Sequence, residues 1–351
     1  MKRAAIIIGI LSLSLACCGE AYDTPFPMEK IVEWRCPARD FSIADYGAKA
    51  DGSKCTEAFA RAMAACSAAG GGRVVVPAGE WLTGGFDLRS DVALVVSEGA
   101  TLRFPDDPVV VYRAPLRANG RPQPTRAGLI QAIGCTNVAV LGTGTLKADV
   151  DYWHRNFMMN PVKGFPRPQF FTIRNCRNVR FEGFKIRGSP AWTMHFTVCE
   201  DIVLRNVDSS CTGPNTDGLD LESCNRALVE GVSLDQTDDT YTIKSGFNEA
   251  GRRRNIPTQN VVIRNCRAVH GHSMLGIGSE VSGGIRNIYM TDCTIESECW
   301  NWLFVKTNAK RGAFVENVTM ENVRSAAETA SGSSDRMTSD LICRSSRSCR
   351  C

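Results

Sequence analysis

Aromatic residues, histidines and closely spaced cysteine pairs are all scarce in this sequence. Aromatic residues make up 8% of the 351 residues, and basic and aromatic side chains do not interleave as they do in proteins that bind nucleic acid. The sixteen cysteines include no CxxC pair, so no zinc site is predicted. A formal net charge of +4 neither requires nor excludes an acidic partner. After the N-terminus, no segment is apolar enough to cross a membrane.

The first 21 residues have the pattern of an export signal. A charged start, Lys2-Arg3, precedes an apolar stretch up to Ala16 that is too short to span a bilayer. The next residues, Ser-Leu-Ala-Cys-Cys-Gly, resemble a bacterial lipoprotein cleavage box with a lipid on Cys17. The alternative is plain cleavage after Ala16 or Ala21. We therefore expect export to the periplasm, to the outer membrane or out of the cell, with a membrane contact only through this lipid.

From residue 137 the chain repeats one short phrase, an Asn, Asp or Arg followed by a strand-forming run. The steps between copies are 41, 23, 25, 34, 27 and 30 residues, so the longer steps contain inserted loops. Strands that recur at this spacing are typical of solenoids. We predict an all-β fold, a single-domain right-handed parallel β-helix, because an antiparallel sandwich would not need one phrase seven times. The copies begin at Asn137, Asn178, Asp201, Arg226, Asn260, Asn287 and Asn317.

The segments before and after these repeats have different compositions. Thr56 to Ala69 is the one segment with helical spacing of apolar residues, and three glycines end it. We expect this short helix to cap the β-helix, whose domain we place at residues 41–323. Residues 324–351 contain eight Ser, three Cys and no alternation, which predicts a disordered or non-native tail and an unpaired sheet edge where the helix is truncated.

Several cysteines lie close to the repeated phrase. Cys176 and Cys266 both occur in Ile-Arg-Asn-Cys-Arg, and Cys199, Cys224 and Cys293 lie near the same landmark. Cysteines of an exported protein would normally form disulfides. This placement instead predicts small buried residues that stack coil on coil as free thiols.

Three acids, Asp217, Asp238 and Asp239, occur in two similar contexts, each a Thr-Asp turn before an alternating run. Asp217 and Asp238 are 21 residues apart, so they should stack on neighbouring coils. Their carboxyl groups could then lie about 6.5–9.5 Å apart, as in inverting glycoside hydrolysis. The alternative is two ordinary turns, which Asp and Asn favour. Register argues against turns alone, because Asp238 and His272 each lie 12 residues after their landmark.

These residues resemble glycoside hydrolase family 28, the polygalacturonases and related pectin hydrolases. The resemblance runs from about residue 41 to about residue 323 and depends on several motifs together. The matching segments are Asn215-Thr216-Asp217, Thr237-Asp238-Asp239, Gly271-His272, Gly278-Ser279-Glu280, Lys306-Thr307, Gly188-Ser189-Pro190-Ala191-Trp192 and Ile243-Lys244-Ser245-Gly246.

The resemblance implies an inverting hydrolase of pectic, galacturonate-containing polysaccharide. Asp238 would be the general acid that protonates the glycosidic oxygen, and Asp217 with Asp239 would activate the attacking water. His272 would hydrogen-bond to the acids and help to keep Asp238 protonated. Substrate-binding roles are implied for Asn215, Lys244, Lys306, Arg252 and Arg253.

Two positions depart from the family pattern. Phe304 stands where the family usually has Arg, which removes a planar, bidentate partner for a uronate carboxylate. The Phe304 ring either stacks against a sugar or packs inward. Ser273 replaces the Gly that commonly follows the family's His. The run that contains Arg252 and Arg253 is either a solvated loop or a carboxylate-binding one.

Two other functions fit part of the pattern. A non-catalytic β-helical adhesin or carbohydrate-binding protein would share the repeats but would not need acids and a histidine in register. A uronate lyase would abstract a proton and leave an unsaturated product. For a hydrolase no metal ion or organic cofactor is needed, because side chains supply the acid and the base. We expect a monomer that binds a pectic polysaccharide or oligosaccharide and no nucleic acid; galacturonan versus rhamnogalacturonan, and endo- versus exo-action, stay open.

Overall fold

The computed structural model describes residues 21–111, 117–118, 121–122, 128–155, 167–296, 299–326 and 341–343. Its short strands pair in parallel with strands one coil earlier and one coil later, so the chain winds into a right-handed parallel β-helix. This confirms the predicted fold class. The predicted export signal, apart from Ala21, and most of the predicted tail lie outside the described residues. Within the described residues, no helix is both long enough and apolar enough to span a bilayer.

The β-helix has three faces, and a typical coil contributes one strand to each. The first face contains β1 (Asp40–Ser42), β2 (Gly72–Val76), β5 (Val92–Val96), β10 (Thr136–Gly142), β13 (Arg177–Glu182), β16 (Glu200–Arg205), β19 (Asn225–Glu230), β22 (Thr258–Arg264), β24 (Ile285–Thr291), β27 (Val315–Glu321) and β29 (Leu341–Cys343). The second face contains β3 (Gly79–Leu82), β6 (Ala100–Phe104), β11 (Thr145–Ala148), β14 (Lys185–Arg187), β17 (Asp208–Cys211), β20 (Ser233–Gln236), the start of β23 (Arg267–Ile277), β25 (Thr294–Ile295) and β28 (Arg324–Ser325).

The third face carries the residues of functional interest. It contains β4 (Phe86–Asp87), β9 (Gly128–Ile133), β12 (Gln169–Arg174), β15 (Met194–Thr197), β18 (Leu219–Glu222), β21 (Tyr241–Lys244), the end of β23 and β26 (Cys299–Val305). The remaining elements are the hairpin β7 (Arg117–Ala118) and β8 (Arg121–Pro122), the 3-10 helix Ile43–Tyr46, and the helices α1 (Thr56–Ala68), α2 (Pro108–Val111), α3 (Asp151–Arg155) and α4 (Asn248–Arg254).

The repeated phrase of the sequence marks the strands of the first face. Its seven leading residues, from Asn137 to Asn317, all have a left-handed backbone conformation with φ between 52° and 59°. Asn and Asp tolerate this conformation better than most residues with a side chain. Asparagines also connect successive coils: Asn178 Nδ2 donates to Asn137 Oδ1 at 2.9 Å. Each phrase therefore fixes the position of a first-face strand and ties it to the coil before.

Eleven cysteines, from Cys36 to Cys299, are free thiols, and nine of them are buried, as the sequence predicted. The six that lie near the repeated phrase form two stacks rather than one. Cys176 precedes a first-face strand, whereas Cys266 precedes a second-face strand, although the same phrase surrounds both. One stack therefore lies at the corner between the third and first faces and the other at the corner between the first and second. The members are Cys135, Cys176, Cys199 and Cys224 in the former, and Cys266 and Cys293 in the latter.

Additional elements cover both ends of the coil stack. Helix α1 agrees with the predicted helix to within one residue, and its Phe59 stacks on Phe86 of β4 with 4.8 Å between ring centroids. At the other end, β29 pairs antiparallel with β27. The sequence predicted an unpaired strand edge at this end, and the structure shows a paired one. Residues 341–343 supply the partner that the composition of the tail did not indicate.

The segment before β1 packs on the outside of the first face. Met28 and Ile31 are buried against Val203 and its neighbours on adjacent first-face strands. Glu33 forms an ion pair with Arg205 at 2.7 Å. The packed unit therefore begins before the boundary predicted at residue 41. The cause is that some outward-facing positions of the first face are apolar and need a cover.

Candidate active site

Four of the predicted site residues come from three consecutive coils of the third face. Asp217 lies just before β18, Asp238 and Asp239 lie just before β21, and His272 lies within β23. The structure brings three of them together: one side-chain oxygen or nitrogen from each of Asp238, Asp239 and His272 lies within 4.8 Å of the others. Asp217 is close enough for the charges of Asp238 and Asp239 to raise its pKa. We call these four residues the acid cluster.

The register of the third face stacks Asp217 on Asp239 and not on Asp238. Leu219 of β18 opposes Tyr241 of β21, a step of 22 residues, and Gly218 N–H donates to the Asp239 carbonyl at 2.9 Å. The sequence predicted the stack for Asp217 and Asp238, which is one residue out of step. Side chains of adjacent residues in an extended chain point in opposite directions. Asp239 is accordingly enclosed, whereas Asp238 is half-buried.

The Asp239 carboxylate is fully enclosed and has two donors. Ser273 Oγ donates to Oδ1 at 2.5 Å, and Lys306 Nζ donates to Oδ2. His272 Nδ1 lies 3.8 Å from Oδ1. These contacts fix the orientation of the carboxylate. They also give Ser273, the departure from the family pattern, a direct contact with one of the acids.

Asp238 has weaker partners than Asp239. Its Oδ1 accepts the backbone N–H of Asp239 at 2.9 Å, and its Oδ2 accepts from Asn215 Nδ2 at 3.4 Å. Asn215 Oδ1 in turn accepts from Arg167 at 2.8 Å. Asp238 is therefore held in place by its own turn and by Asn215, and part of its side chain remains open to solvent.

Asp217 is buried beside Lys244. Lys244 Nζ lies 3.8 Å from Asp217 Oδ2, and Asp217 Oδ1 has no hydrogen-bond partner among the described residues. Burial raises the pKa of Asp217 to about 7; Lys244 acts in the opposite direction, and the charges of Asp238 and Asp239 add to the rise. The charge on Asp217 therefore changes near neutral pH.

Lys244 lies beneath the outer surface of the third face and is 3% exposed. Its Nζ lies 3.4 Å from Asp220 Oδ1 and 3.2 Å from Glu280 Oε2. Burial alone would lower the pKa of Lys244, but Asp220, Asp217 and Glu280 raise it above its ordinary value, so the amine stays charged. The sequence predicted Lys244 as a substrate-binding residue. An enclosed ammonium with three carboxylate neighbours does not offer the accessible charge that this role needs.

Two aromatic rings contact His272. The Trp300 ring lies edge-on at 4.9 Å and the Phe304 ring edge-on at 5.8 Å. Trp300 is 77% exposed, and Lys306 Nζ lies 5.2 Å from the centroid of Phe304. Phe304 therefore faces the acid cluster and does not pack into the core; stacking of its ring against a sugar stays a prediction.

Arg252 and Arg253 lie on α4, directly after the coil that carries Asp238 and Asp239. Arg252 Nη1 donates to the backbone oxygens of Lys310 and Arg311, the latter at 3.3 Å. Arg253 forms an ion pair with Glu249 on the same helix. Their described polar contacts are thus with their own surroundings and not with the acids, so carboxylate binding by these two arginines stays a prediction.

A cation could in principle bind to Asp238, Asp239 and His272, whose oxygen and nitrogen atoms are close together. Lys306 Nζ already donates to Asp239 in this group. An ammonium therefore supplies the positive charge that such a cluster attracts, and the chemistry of two carboxyl groups needs no metal ion.

Sequence reasoning missed two groups beneath the acid cluster. Asp220 lies between two core leucines in Leu219-Asp220-Leu221. The sequence did hold a signal for it, namely an acid that points away from the core in a buried strand. Glu280 was named within a motif and given no role. In the structure both lie beside Lys244, and Lys244 Nζ is also 4.6 Å from the Trp192 ring centroid.

Known proteins share this fold and these sequence features. Residues 66–328 match the family model described as glycosyl hydrolases family 28. A probable polygalacturonase of Vitis vinifera is 30% identical over 300 residues, which cover 81% of this chain and 60% of that protein. The chain thus spans 60% of the length of this relative.

Solved structures give the same assignment. The hyperthermoactive exopolygalacturonase from Thermotoga maritima superposes with a TM-score of 0.72 at 30% identity, covering 85% of this chain and 78% of that one. The polygalacturonase from Erwinia carotovora, at 22% identity, has a TM-score of 0.66 over 85% of this chain and 82% of that one, and shows the shared fold. Because the family model matches most of the chain, and the fold agrees with it, the chain belongs to glycosyl hydrolases family 28.

Proposed function

We propose that this protein is an inverting glycoside hydrolase that cleaves glycosidic bonds in a pectic, galacturonate-containing polysaccharide. The observation that carries the proposal is the acid cluster, three carboxyl groups from two adjacent coils with a histidine from the next. Family membership supports the reaction class. The names of the Vitis and Thermotoga relatives, a probable polygalacturonase and an exopolygalacturonase, support the substrate class.

Asp238 is the general acid in this proposal. It is the acid of the cluster that solvent can reach, and its only side-chain donor in the described structure is Asn215 at 3.4 Å. A carboxyl group in this position can approach the glycosidic oxygen and transfer a proton to it as the bond breaks. His272, on the next coil, lies against the same cluster and limits how far the carboxyl groups can move.

Asp217 and Asp239 activate the attacking water. Asp217 Oδ1 has no hydrogen-bond partner among the described residues, so it can accept a proton from water. Asp239 is oriented by Ser273 and Lys306 and provides a second acceptor beside it. Attack from the face opposite to the general acid inverts the configuration at the anomeric carbon.

The surroundings of the cluster suit an acidic sugar next to a less charged one. Lys306 is 24% exposed, so its ammonium can face a uronate carboxylate while it contacts Asp239. Trp300 and Phe304 offer apolar faces where the family usually has an arginine at position 304. We therefore expect weaker binding of plain polygalacturonate than of a mixed or substituted pectic oligosaccharide.

The proposal is tested with defined pectic oligosaccharides. Product masses identify the bond that is cleaved, and NMR of the first product identifies the anomer, which should be inverted. Asp238→Asn should lower turnover by about 100- to 10,000-fold and leave substrate binding intact. The matched control is Asp235→Asn on the adjacent β20, where Oδ2 accepts from Ser210 at 2.9 Å; it should keep wild-type turnover.

Three outcomes would contradict this function. A retained anomer would refute the water-activating pair. An unsaturated product, detected by its ultraviolet absorbance, would indicate a lyase. Binding without turnover by the wild-type protein would indicate a carbohydrate-binding protein.

Export, lipid attachment at Cys17 and a monomeric state are further parts of the proposal. The charged and apolar pattern of residues 1–21 supports export and lipid attachment, and the monomeric state is an expectation without such support. Mass spectrometry of the mature N-terminus, with Cys17→Ser as the variant, tests the lipid. Wild-type and variant N-termini of equal mass would exclude it.

A further inference from the structure

The buried ammonium of Lys244 lies beside three carboxyl groups, one of which, that of Asp217, belongs to the acid cluster. Lys244 is 3% exposed, and its Nζ lies 3.8 Å from Asp217, 3.4 Å from Asp220 and 3.2 Å from Glu280. It also donates to the backbone oxygen of Gly278 at 3.3 Å. A buried charge is tolerated when it is paired. Asp217 and Asp220 are both buried and Glu280 is partly exposed; one cation cannot balance two enclosed carboxylates, so one of these two acids must retain a proton.

Asp220 has the surroundings of a neutral carboxylic acid. It is fully enclosed, and neither carboxyl oxygen has a hydrogen-bond partner among the described residues. On the strands beside it, His195 of β15 and Thr242 of β21 are in register with it. Burial raises the pKa of Asp220 well above its ordinary value; Asp217 and Glu280 add to the rise, and Lys244 opposes it.

Asp217 is the carboxyl group in the set whose ionisation matters for the reaction. Lys244, Asp238 and Asp239 all act on its charge, and Asp220 lies three residues further along the chain, in β18. Asp238 and Asp239, on the next coil, disfavour a negative charge on Asp217, and so does its burial. Among the main influences on Asp217 in the described structure, Lys244 is the cation that favours its ionised form.

We propose that Lys244 and Asp220 are positioning residues for Asp217: the buried ammonium favours the ionised form of the Asp217 carboxylate, and Asp220 carries the proton that the two buried acids retain. The inference rests on the proposed function, since it treats Asp217 as part of the base. It reassigns Lys244 from substrate binding to control of the base. Substrate touches neither residue.

The first test is the pH dependence of kcat/KM. Lys244→Met should move the acid limb to higher pH by about one pH unit or more, because the cation that favours ionised Asp217 is gone. Asp220→Asn should leave the acid limb in place, since an amide replaces a group that is already neutral. Lys185→Met and Asp235→Asn, the same changes on the second face, are the controls and should match wild type. An unmoved acid limb in Lys244→Met, or a clear shift in Asp220→Asn, would overturn the assignment.

Loss of a buried cation can prevent folding, so Lys244→Arg is the second variant at this position. A folded Arg variant that keeps the wild-type acid limb supports the need for the charge. A shifted limb in that variant overturns it. An effect on KM alone, with kcat and its pH profile unchanged, would return Lys244 to substrate binding.

The second test needs no activity. Infrared spectra at about pH 8, where ordinary carboxyl groups are ionised, should show one protonated carboxyl band in the wild-type protein that Asp220→Asn lacks. Identical spectra would overturn the role of Asp220. A protein with this band and no hydrolysis of any pectic substrate would refute the proposed function and leave the protonation of Asp220 standing.

Discussion

Replacement of Lys306 by Met tests whether this lysine is the counter-ion of a buried acid. Asp239 is fully enclosed, and Lys306 Nζ is the cation that donates to it. Removal of one partner of a buried ion pair costs about 3–5 kcal/mol, because a charge is left without compensation. The Lys306 side chain is 24% exposed, so the partly solvated pair should lie at the low end, about 3 kcal/mol.

The second half of the prediction is a rescue. In Lys306→Met with Asp239→Asn, the neutral amide needs no counter-ion and can still accept from Ser273, which donates to Oδ1 at 2.5 Å in the wild-type protein. The double variant should therefore be more stable than Lys306→Met alone by about 1–2 kcal/mol, as expected for coupled neighbours. Lys310→Met, an exposed lysine on the same loop, is the control and should lie within about 0.5 kcal/mol of wild type.

Urea unfolding followed by tryptophan fluorescence measures all four proteins. Activity is not a useful readout here, because each change at Asp239 or Lys306 would also impair the reaction. Two results would refute the reasoning. One is a Lys306→Met variant as stable as Lys310→Met; the other is a double variant no more stable than Lys306→Met.

Three further predictions concern the acid cluster and the residues around it. Burial raises the pKa of Asp217 from 3.8 to about 7, so between these pH values the folded state holds a proton that the unfolded state has released. The free energy of unfolding should therefore fall as pH rises across that interval. Asp217→Asn should weaken this pH dependence, which urea midpoints at several pH values measure. Ser273→Ala removes a hydrogen bond to the Asp239 carboxylate and should lower the free energy of unfolding by about 1.5–3 kcal/mol, a loss that an unchanged urea midpoint would disprove. Phe304→Arg should increase affinity for smooth polygalacturonate, and Trp300→Ala should weaken binding of mixed oligosaccharides by about threefold to tenfold. Calorimetry measures both affinities. Variants that bind with the same affinities as the wild-type protein would show that neither ring contacts the substrate.

The sequence by itself determined the architecture, because the repeat depends on the backbone preferences of individual residues. Each copy of the phrase places an Asn, Asp or Arg where the backbone is left-handed, and most of these residues tolerate that conformation at low cost. The recurrence of the phrase at roughly one coil length is sufficient to predict parallel stacking. The same periodicity placed Asp217, Asp238, Asp239 and His272 on one side of three coils, where the structure has them.

Only the tertiary structure decided which of these groups touch. A difference of one residue between a sequence spacing of 21 and a strand step of 22 stacks Asp217 on Asp239 instead of on Asp238. No local pattern reveals such a difference, because turns between strands vary in length while the strands stay in register. Burial is likewise a property of the whole coil stack. The sequence predicts Lys244 to be an accessible cation, and it is enclosed because residues as distant in sequence as Trp192 and Glu280 contact it.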